Sequence, residues 1–229
     1  MKNPLLTIAL ALLAPAAFAQ SSETFDAAFG SPGSPLNVGA PAFPVSLSEQ
    51  AFDPNLGTLT SVSITLTTTV GGQVDVLNTL ATPESFTNAF AQMSVTVTGP
   101  DSTAVTLSPA ATIASGSVPG GFGQTNFAAV PSTGSSARSA STLSDYEIPG
   151  GGSILLTVNS SATGTYGGTA TPGVYFGGSA NAYGDVKVTY NYTLIPEPAT
   201  YALAMGAAGL ALVLIRRRMV SSGTPFLGT

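Results

Sequence analysis

Asp145, Glu147 and Asp185 are the residues from which catalysis could be assembled in this chain. Two carboxylates on either side of a glycosidic bond can serve as general acid and as base or nucleophile, and the spacing Asp145-Tyr146-Glu147 sends both side chains from one face of an extended segment. Solvated loop acids show the same spacing, and that is the commoner case. Other chemistries lack their partners. The 229 residues include no histidine and no cysteine, which removes Ser-His-Asp and Cys-His arrangements, thiol chemistry, disulfides and His- or Cys-based metal sites. Ser-Lys chemistry would have to rest on Lys187, which alternates outward along a strand pattern. Calcium would find oxygen ligands in Asp53, Asn55 and Asp101, all in turn-forming stretches, but no Asp-x-Asp-x-Asp-Gly loop exists. Tyr166, Tyr175, Tyr183, Tyr190 and Tyr192 offer aromatic rings that stack on sugars in a lectin-like face, or else line the edge of a core. The expectation is a protein that is not an enzyme, with no catalytic, metal or cofactor-binding residues.

Both termini carry targeting patterns. Residues 1–19 read as a signal peptide: Lys2 supplies the positive start, Leu5 to Leu13 the apolar core, and Ala17-Phe18-Ala19 the small-x-small cleavage site, so that the mature chain begins at Gln20. At the other end, Ile195-Pro-Glu-Pro-Ala-Thr-Tyr201 precedes an apolar run that ends in Arg216, Arg217 and Arg218. From Ala199 to Ile215 about 17 residues carry no charge, roughly 25 Å of helix, the short end of what spans a bilayer. The three arginines would stay on the cytoplasmic side as a stop-transfer signal, leaving everything before Pro196 outside the inner membrane. Pro196 and Pro198 lack amide hydrogens and hold the segment around Glu197 extended and out of the helix.

This order of motif, apolar helix and arginine cluster resembles the PEP-CTERM sorting signal of Gram-negative bacteria that make exopolysaccharide. The resemblance implies that an exosortase, a membrane-embedded cysteine protease or transpeptidase, reads Pro196, Glu197 and Pro198, cleaves near them, and releases or re-anchors the exported protein. Residues 196–218 would then be a temporary sorting signal. Residues 219–229 form a short cytoplasmic tail, longer than is usual in that family.

Between the two signals lie ten acidic residues and two basic ones, Arg138 and Lys187, a net charge of −8. With so few cations to release counterions, nucleic acid and anionic lipid are poor partners. Its length fits one domain with its own core. Residues 20–46 read as a lead-in loop with an edge strand at its end, Phe43 to Leu47. Leu59 to Val70 alternates, with Val62, Ile64, Leu66 and Val70 on one face; Gly71-Gly72 then turns the chain and Gln73 to Leu80 returns as the second arm of a hairpin. Met93 to Thr98 and Ala104 to Leu107 form strands joined through Gly99-Pro-Asp-Ser102. Ser108 to Thr142 reads as a long mobile excursion with one short strand near Gln124 to Val130. Ser153 to Val158 and Asp185 to Leu194 resume the strand pattern, and the one weak helical candidate is Glu84 to Gln92. The fold class this implies is all-β, an antiparallel β-sandwich with jelly-roll or Greek-key connections, flanked by the signal peptide and one C-terminal transmembrane helix.

Phe52-Asp-Pro-Asn-Leu-Gly-Thr-Leu-Thr-Ser-Val-Ser-Ile-Thr-Leu66 resembles the opening of the choice-of-anchor E domain, a module of exported bacterial proteins, which would cover residues 47–195. That family supplies no catalytic residues. Together the resemblances imply an exported, non-enzymatic protein of the envelope or extracellular matrix, associated with exopolysaccharide and biofilm. A carbohydrate-binding module displayed at the cell surface is the alternative.

Overall fold

The computed structural model describes residues 19–195 and 198–221, with the side chains at 198–204, 215 and 218–221 left undescribed. The expected signal peptide up to Phe18, the pair Pro196 and Glu197, and the residues from Ser222 onward therefore fall outside it. Residues 21–192 form one compact unit, and the described residues beyond that range belong to a second.

The described residues are mostly strand: β1 Gln20–Phe29, β2 Leu36–Asn37, β3 Val45–Gln50, β4 Gly57–Asn78, β5 Glu84–Gln92, β6 Val95–Thr98, β7 Ala104–Leu107, β8 Ala110–Val118, β9 Gly123–Ala128, β10 Ser132–Ser139, β11 Ser153–Ser160, β12 Thr165–Ala170 and β13 Val174–Leu194. A 3-10 turn at Leu143–Tyr146 and a helix α1 at Pro198–Ser221 complete it. One sheet has the order β1-β13-β4-β10, with β2 beside β13 and β9 beside β4; a second has the order β3-β11-β6-β7; a third is β12-β5-β8. The pairs β10–β4, β11–β3, β11–β6, β12–β5, β13–β2, β4–β9, β5–β8 and β6–β7 are all antiparallel.

Alternation explains the packing. Val62, Ile64, Leu66 and Val70 of β4 face Val95 and Val97 of β6 and Leu156 and Val158 of β11 across one core, together with Val186, Val188 and Tyr190 of β13. Each such side chain, fully removed from water, contributes about 1.5–3 kcal/mol. A second, smaller core gathers Val74 and Val76 of β4, Phe86, Ala89 and Ala91 of β5, and Val118 of β8, with Phe127 and Phe176 packed against it. β4 and β13 run through both, so the sandwich and a smaller lobe share one spine.

The lobe is built from connections. Neighbouring strands run in opposite directions: Ser132 at the start of β10 lies opposite Val70 of β4, and Ser160 at the end of β11 lies opposite Val95 at the start of β6. The links β4 to β6, β7 to β10 and β11 to β13 consequently open at the same end of the sandwich. They carry β5, then β8 and β9, then β12, which are the lobe's other strands. β13 runs from the lobe through the sandwich, so Tyr192 lies at the opposite end.

Several expectations need correcting. No hairpin turns at Gly71-Gly72, because β4 is one strand of 22 residues. Gly72 has φ +145° and Gly178 on β13 has φ +141°. A Cβ on Gly72 would run into the Ser179 carbonyl, and one on Gly178 into the Gln73 carbonyl. The two glycines thus let both strands bend together where sandwich becomes lobe. The lead-in loop expected at 20–46 begins instead with β1, a ten-residue strand whose Phe25, Ala27 and Phe29 point inward. Ser108 to Thr142 is not a mobile excursion but holds β8, β9 and β10. Glu84 to Gln92 is strand β5.

Helix α1 begins at Pro198, a residue tolerated at a first helical position. The extended stretch expected through Pro198 therefore stops short of it. Its described apolar side chains Met205, Leu210, Leu212, Val213 and Leu214 are exposed. Among the described residues no helix is long and apolar enough to cross a membrane.

Candidate functional site

The three carboxylates do not converge. Asp145 is exposed in the 3-10 turn, Glu147 follows it half-buried, and between them Tyr146 points into the core. The turn breaks the extended geometry that would have put both acids on one face. Asp185 sits within β13, in the body of the large sheet. Lys187 is also on β13, exposed, and its Nζ lies 3.7 Å from Asp26 Oδ2 rather than beside a serine. Among the described residues no group of three acids could hold a metal ion.

The calcium candidates are staples instead. They lie at the end of the sandwich away from the lobe, where the links β3 to β4, β6 to β7 and β10 to β11 meet. Asp53 Oδ1 accepts hydrogen bonds from the Asn55 amide N–H (3.0 Å), the Asn55 side-chain amide (2.8 Å) and the Gly150 amide N–H (3.0 Å). The Leu56 amide closes the expected turn onto the Asp53 carbonyl at 3.0 Å. The Asn55 and Gly150 backbone bonds hold the Asp53 carboxyl below its ordinary pKa.

Asp101 is bound more heavily. Its Oδ1 accepts from the Thr103 amide (3.1 Å) and the Tyr146 hydroxyl (2.7 Å). Its Oδ2 accepts from the Thr103 hydroxyl (2.7 Å), the Ser141 amide (2.6 Å) and hydroxyl (2.9 Å), and the Thr142 amide (3.3 Å). A carboxylate has about four lone-pair directions, so these donors leave none for a cation. Desolvation alone would raise its pKa, but the bonds from Thr103, Tyr146 and Ser141 outweigh it and hold the group well below the carboxylate range. Burial and then the Asp101 contact push the Tyr146 hydroxyl far above its ordinary value.

Among the described residues Glu49 is the one buried charged side chain, 5% exposed on the edge strand β3. Its Oε1 has no hydrogen-bond partner among the described residues. Burial, and then the nearby Asp26, raise its pKa, against a smaller opposing bond from the Gln50 amide. An inward acid on an edge strand discourages pairing with another sheet.

The five tyrosines do not share a face. Tyr190 and Tyr192 are buried against Phe52, and the Tyr190 hydroxyl donates to the Gln50 carbonyl at 2.8 Å. Tyr166 is half-buried against both cores. Tyr183 is half-buried, and Tyr175 alone of the five is well exposed, at 60%.

Tyr175 stands on the outer face of the lobe. Gly178 lies against the Cα of Val74, which carries Phe176 to the level of Val76 inside the lobe and Tyr175 to the level of Leu77 outside it. On the other flank of β4, Leu77 pairs with Gln124, Asp75 with Asn126, and Gln73 with Ala128. The Gln73 side-chain amide donates to Asp75 Oδ1 at 2.6 Å. At the tip, Phe122 lies in the Gly120-Gly121-Phe122-Gly123 turn, 73% exposed at φ +62°. The Gly121 amide ties this turn to the Leu80 carbonyl at 2.6 Å. The glycine run around Phe122 was a visible signal in the sequence, but nothing local showed that it closes onto Leu80, just past the end of β4.

Of the sorting residues, Ala19 is exposed, and Arg216 and Arg217 are exposed on α1. Pro198 and Arg218 are described in backbone only, and Ala17, Pro196 and Glu197 lie outside the described residues.

No family model matches the chain, and no curated protein matches it. Among solved structures, the infectious bursal disease virus Gx strain is similar at 17% identity and a TM-score of 0.19, covering 87% of this chain and 50% of that one. The T13 particle of the same virus gives 13% identity and a TM-score of 0.20, covering 86% and 47%. The Gt strain gives 15% and 0.16, covering 79% and 41%. The chain spans about half the length of these chains or less, and likeness at such scores carries no argument about function.

Proposed function

We propose that this chain is an exported, non-enzymatic protein of the cell envelope or extracellular matrix, carried out by its signal peptide and sorted by an exosortase. In this reading Ala199 to Ile215 is a temporary span of the inner membrane, and Arg216, Arg217 and Arg218 halt it there. Exosortase then cuts at or near Pro196-Glu197-Pro198, leaving a choice-of-anchor E-like domain at the cell surface or in an exopolysaccharide matrix. One observation carries the proposal. β13 ends at Leu194, so along the chain the motif comes just after the last strand of the folded domain. The two four-stranded orders, β1-β13-β4-β10 and β3-β11-β6-β7, support a jelly-roll winding for that domain. The dispersal of Asp145, Glu147 and Asp185 supports the non-enzymatic part.

Mass spectrometry of the extracellular fraction tests this reading. The mature protein should end between Leu194 and Ala199, and changing Pro196, Glu197 and Pro198 together to alanine should leave the full-length form in the inner membrane. Wild-type protein that stays in that membrane with its arginines attached, in cells with a working exosortase, would sink the proposal.

A further inference from the structure

We propose that the outer face of the lobe is a platform for a neutral polysaccharide, with Tyr175 and Phe122 as stacking rings and Gln124, Asn126 and Gln73 as hydrogen-bonding amides. Three features carry the inference. Tyr175 and Gln124 flank Leu77 on adjacent strands, at about 5 Å on either side. A ring, an apolar contact and an amide thus lie in one row across the sheet, and Asn126 and Gln73 extend the amides along it. Sugar rings present apolar faces rimmed by hydroxyls, and this row offers a partner for each part.

The second feature is Phe122. A bulky residue at positive φ is uncommon and strained, and a ring left 73% exposed gains little from burial. Glycines on both sides leave no neighbour to cover it. The fold is not stabilised by this arrangement, which presents an aromatic ring to whatever meets the tip.

The third is charge. The face carries the single carboxylate of Asp75, already bonded to Gln73, and both basic residues of the domain lie elsewhere, Arg138 on β10 and Lys187 in the sandwich part of β13. With no cation on the face, anionic polymers and anionic lipid are disfavoured. On the β9 flank of this row the amides Gln124 and Asn126 are the exposed neighbours, which disfavours a second protein surface. A neutral glycan is the occupant that remains. The inference rests on the matrix reading for where that glycan comes from, and it places the platform at the end of the sandwich away from Tyr192, where β13 leaves toward the sorting motif.

The test uses the full chain in detergent, run in native gels cast with hydroxyethyl cellulose, dextran or alginate. Wild type should be retarded by at least one of the neutral polymers and not by anionic alginate. Tyr175→Ala and Phe122→Ala should each weaken retardation about fivefold to tenfold, and Tyr175→Phe should keep most of it. Leu155→Ala, at an exposed site on β11, should change nothing. Phe122→Gly separates binding from folding: it relieves the positive φ, so denaturation should show no loss of stability while retardation falls. Four results would overturn the platform: no retardation by either neutral polymer, equal retardation by alginate, retention of full binding in both alanine variants, or a concentration-dependent dimer abolished by Tyr175→Ala. None of these bears on C-terminal processing, by which the sorting proposal stands or falls.

Discussion

The Tyr146 hydroxyl donates a 2.7 Å hydrogen bond to Asp101, joining residues 45 positions apart. Tyr146 is fully buried, and Asp101 closes the β6–β7 hairpin, so one bond ties the long β10–β11 link to that hairpin. In a chain without disulfides, such a carboxylate does the work of a cross-link between loops.

Asp101→Ala should therefore destabilise the domain by about 2–3 kcal/mol, because it leaves the Tyr146 hydroxyl and several amides without their acceptor. Urea denaturation at pH 7 measures it. The pH dependence has a definite sign. The folded-state pKa of Asp101 is depressed, so its contribution is fully present above the unfolded value of about 3.9 and is lost as pH falls below it. Wild type should lose stability on acidification below about pH 4 more steeply than Asp101→Asn does.

Glu49 should behave in the opposite sense. Its folded-state pKa is raised, so the folded state holds the proton longer than the unfolded chain, and stability falls as pH rises from the unfolded value through the folded one. Glu49→Gln removes that charge from the core and should flatten this decline, leaving the variant at neutral pH no less stable than wild type. Thermal melts at several pH values between 4 and 8 would show it, and a variant less stable than wild type at pH 7 would contradict the reading.

Gly72→Ala should be among the most damaging single-methyl changes in the protein. The added Cβ meets a backbone carbonyl that cannot swing aside, at a φ that other residues rarely adopt. A loss of about 3 kcal/mol or more is expected. Gly177→Ala, one residue from the bend at Gly178 with open space around it, should cost much less.

Export itself has a direct check. If the proposed export is right, with Lys2 and Leu5 to Leu13 starting translocation and the arginines stopping it, a reporter enzyme that works only outside the cytoplasm, fused after Leu194, should be active. An inactive fusion would overturn the topology.

What could be read along the chain was whatever large side chains wrote there. Val62 to Val70, Met93 to Thr98 and Asp185 to Leu194 alternate bulky apolar with polar residues; the first and last are strand throughout, the middle one from Val95, and each buries the expected face. The absence of histidine and cysteine likewise narrowed the chemistry before any fold was known. Where side chains are small the pattern vanished. β8 and β10 are made largely of alanine, serine and glycine, and Gly116 of β8 must stay bare because any Cβ there would meet the Phe86 ring. Strands of that kind are held by backbone pairing with a neighbour, so their signal lies in the partner's sequence and not in their own. Gly71-Gly72 had the composition of a turn, but the paired bend of β4 and β13 needs Gly178, more than 100 residues away, to exist at all. The lobe and its exposed rings were decided at the same distance: antiparallel order brings three separate links to one end of the sandwich, and only there do Leu77, Gln124 and Tyr175 become neighbours.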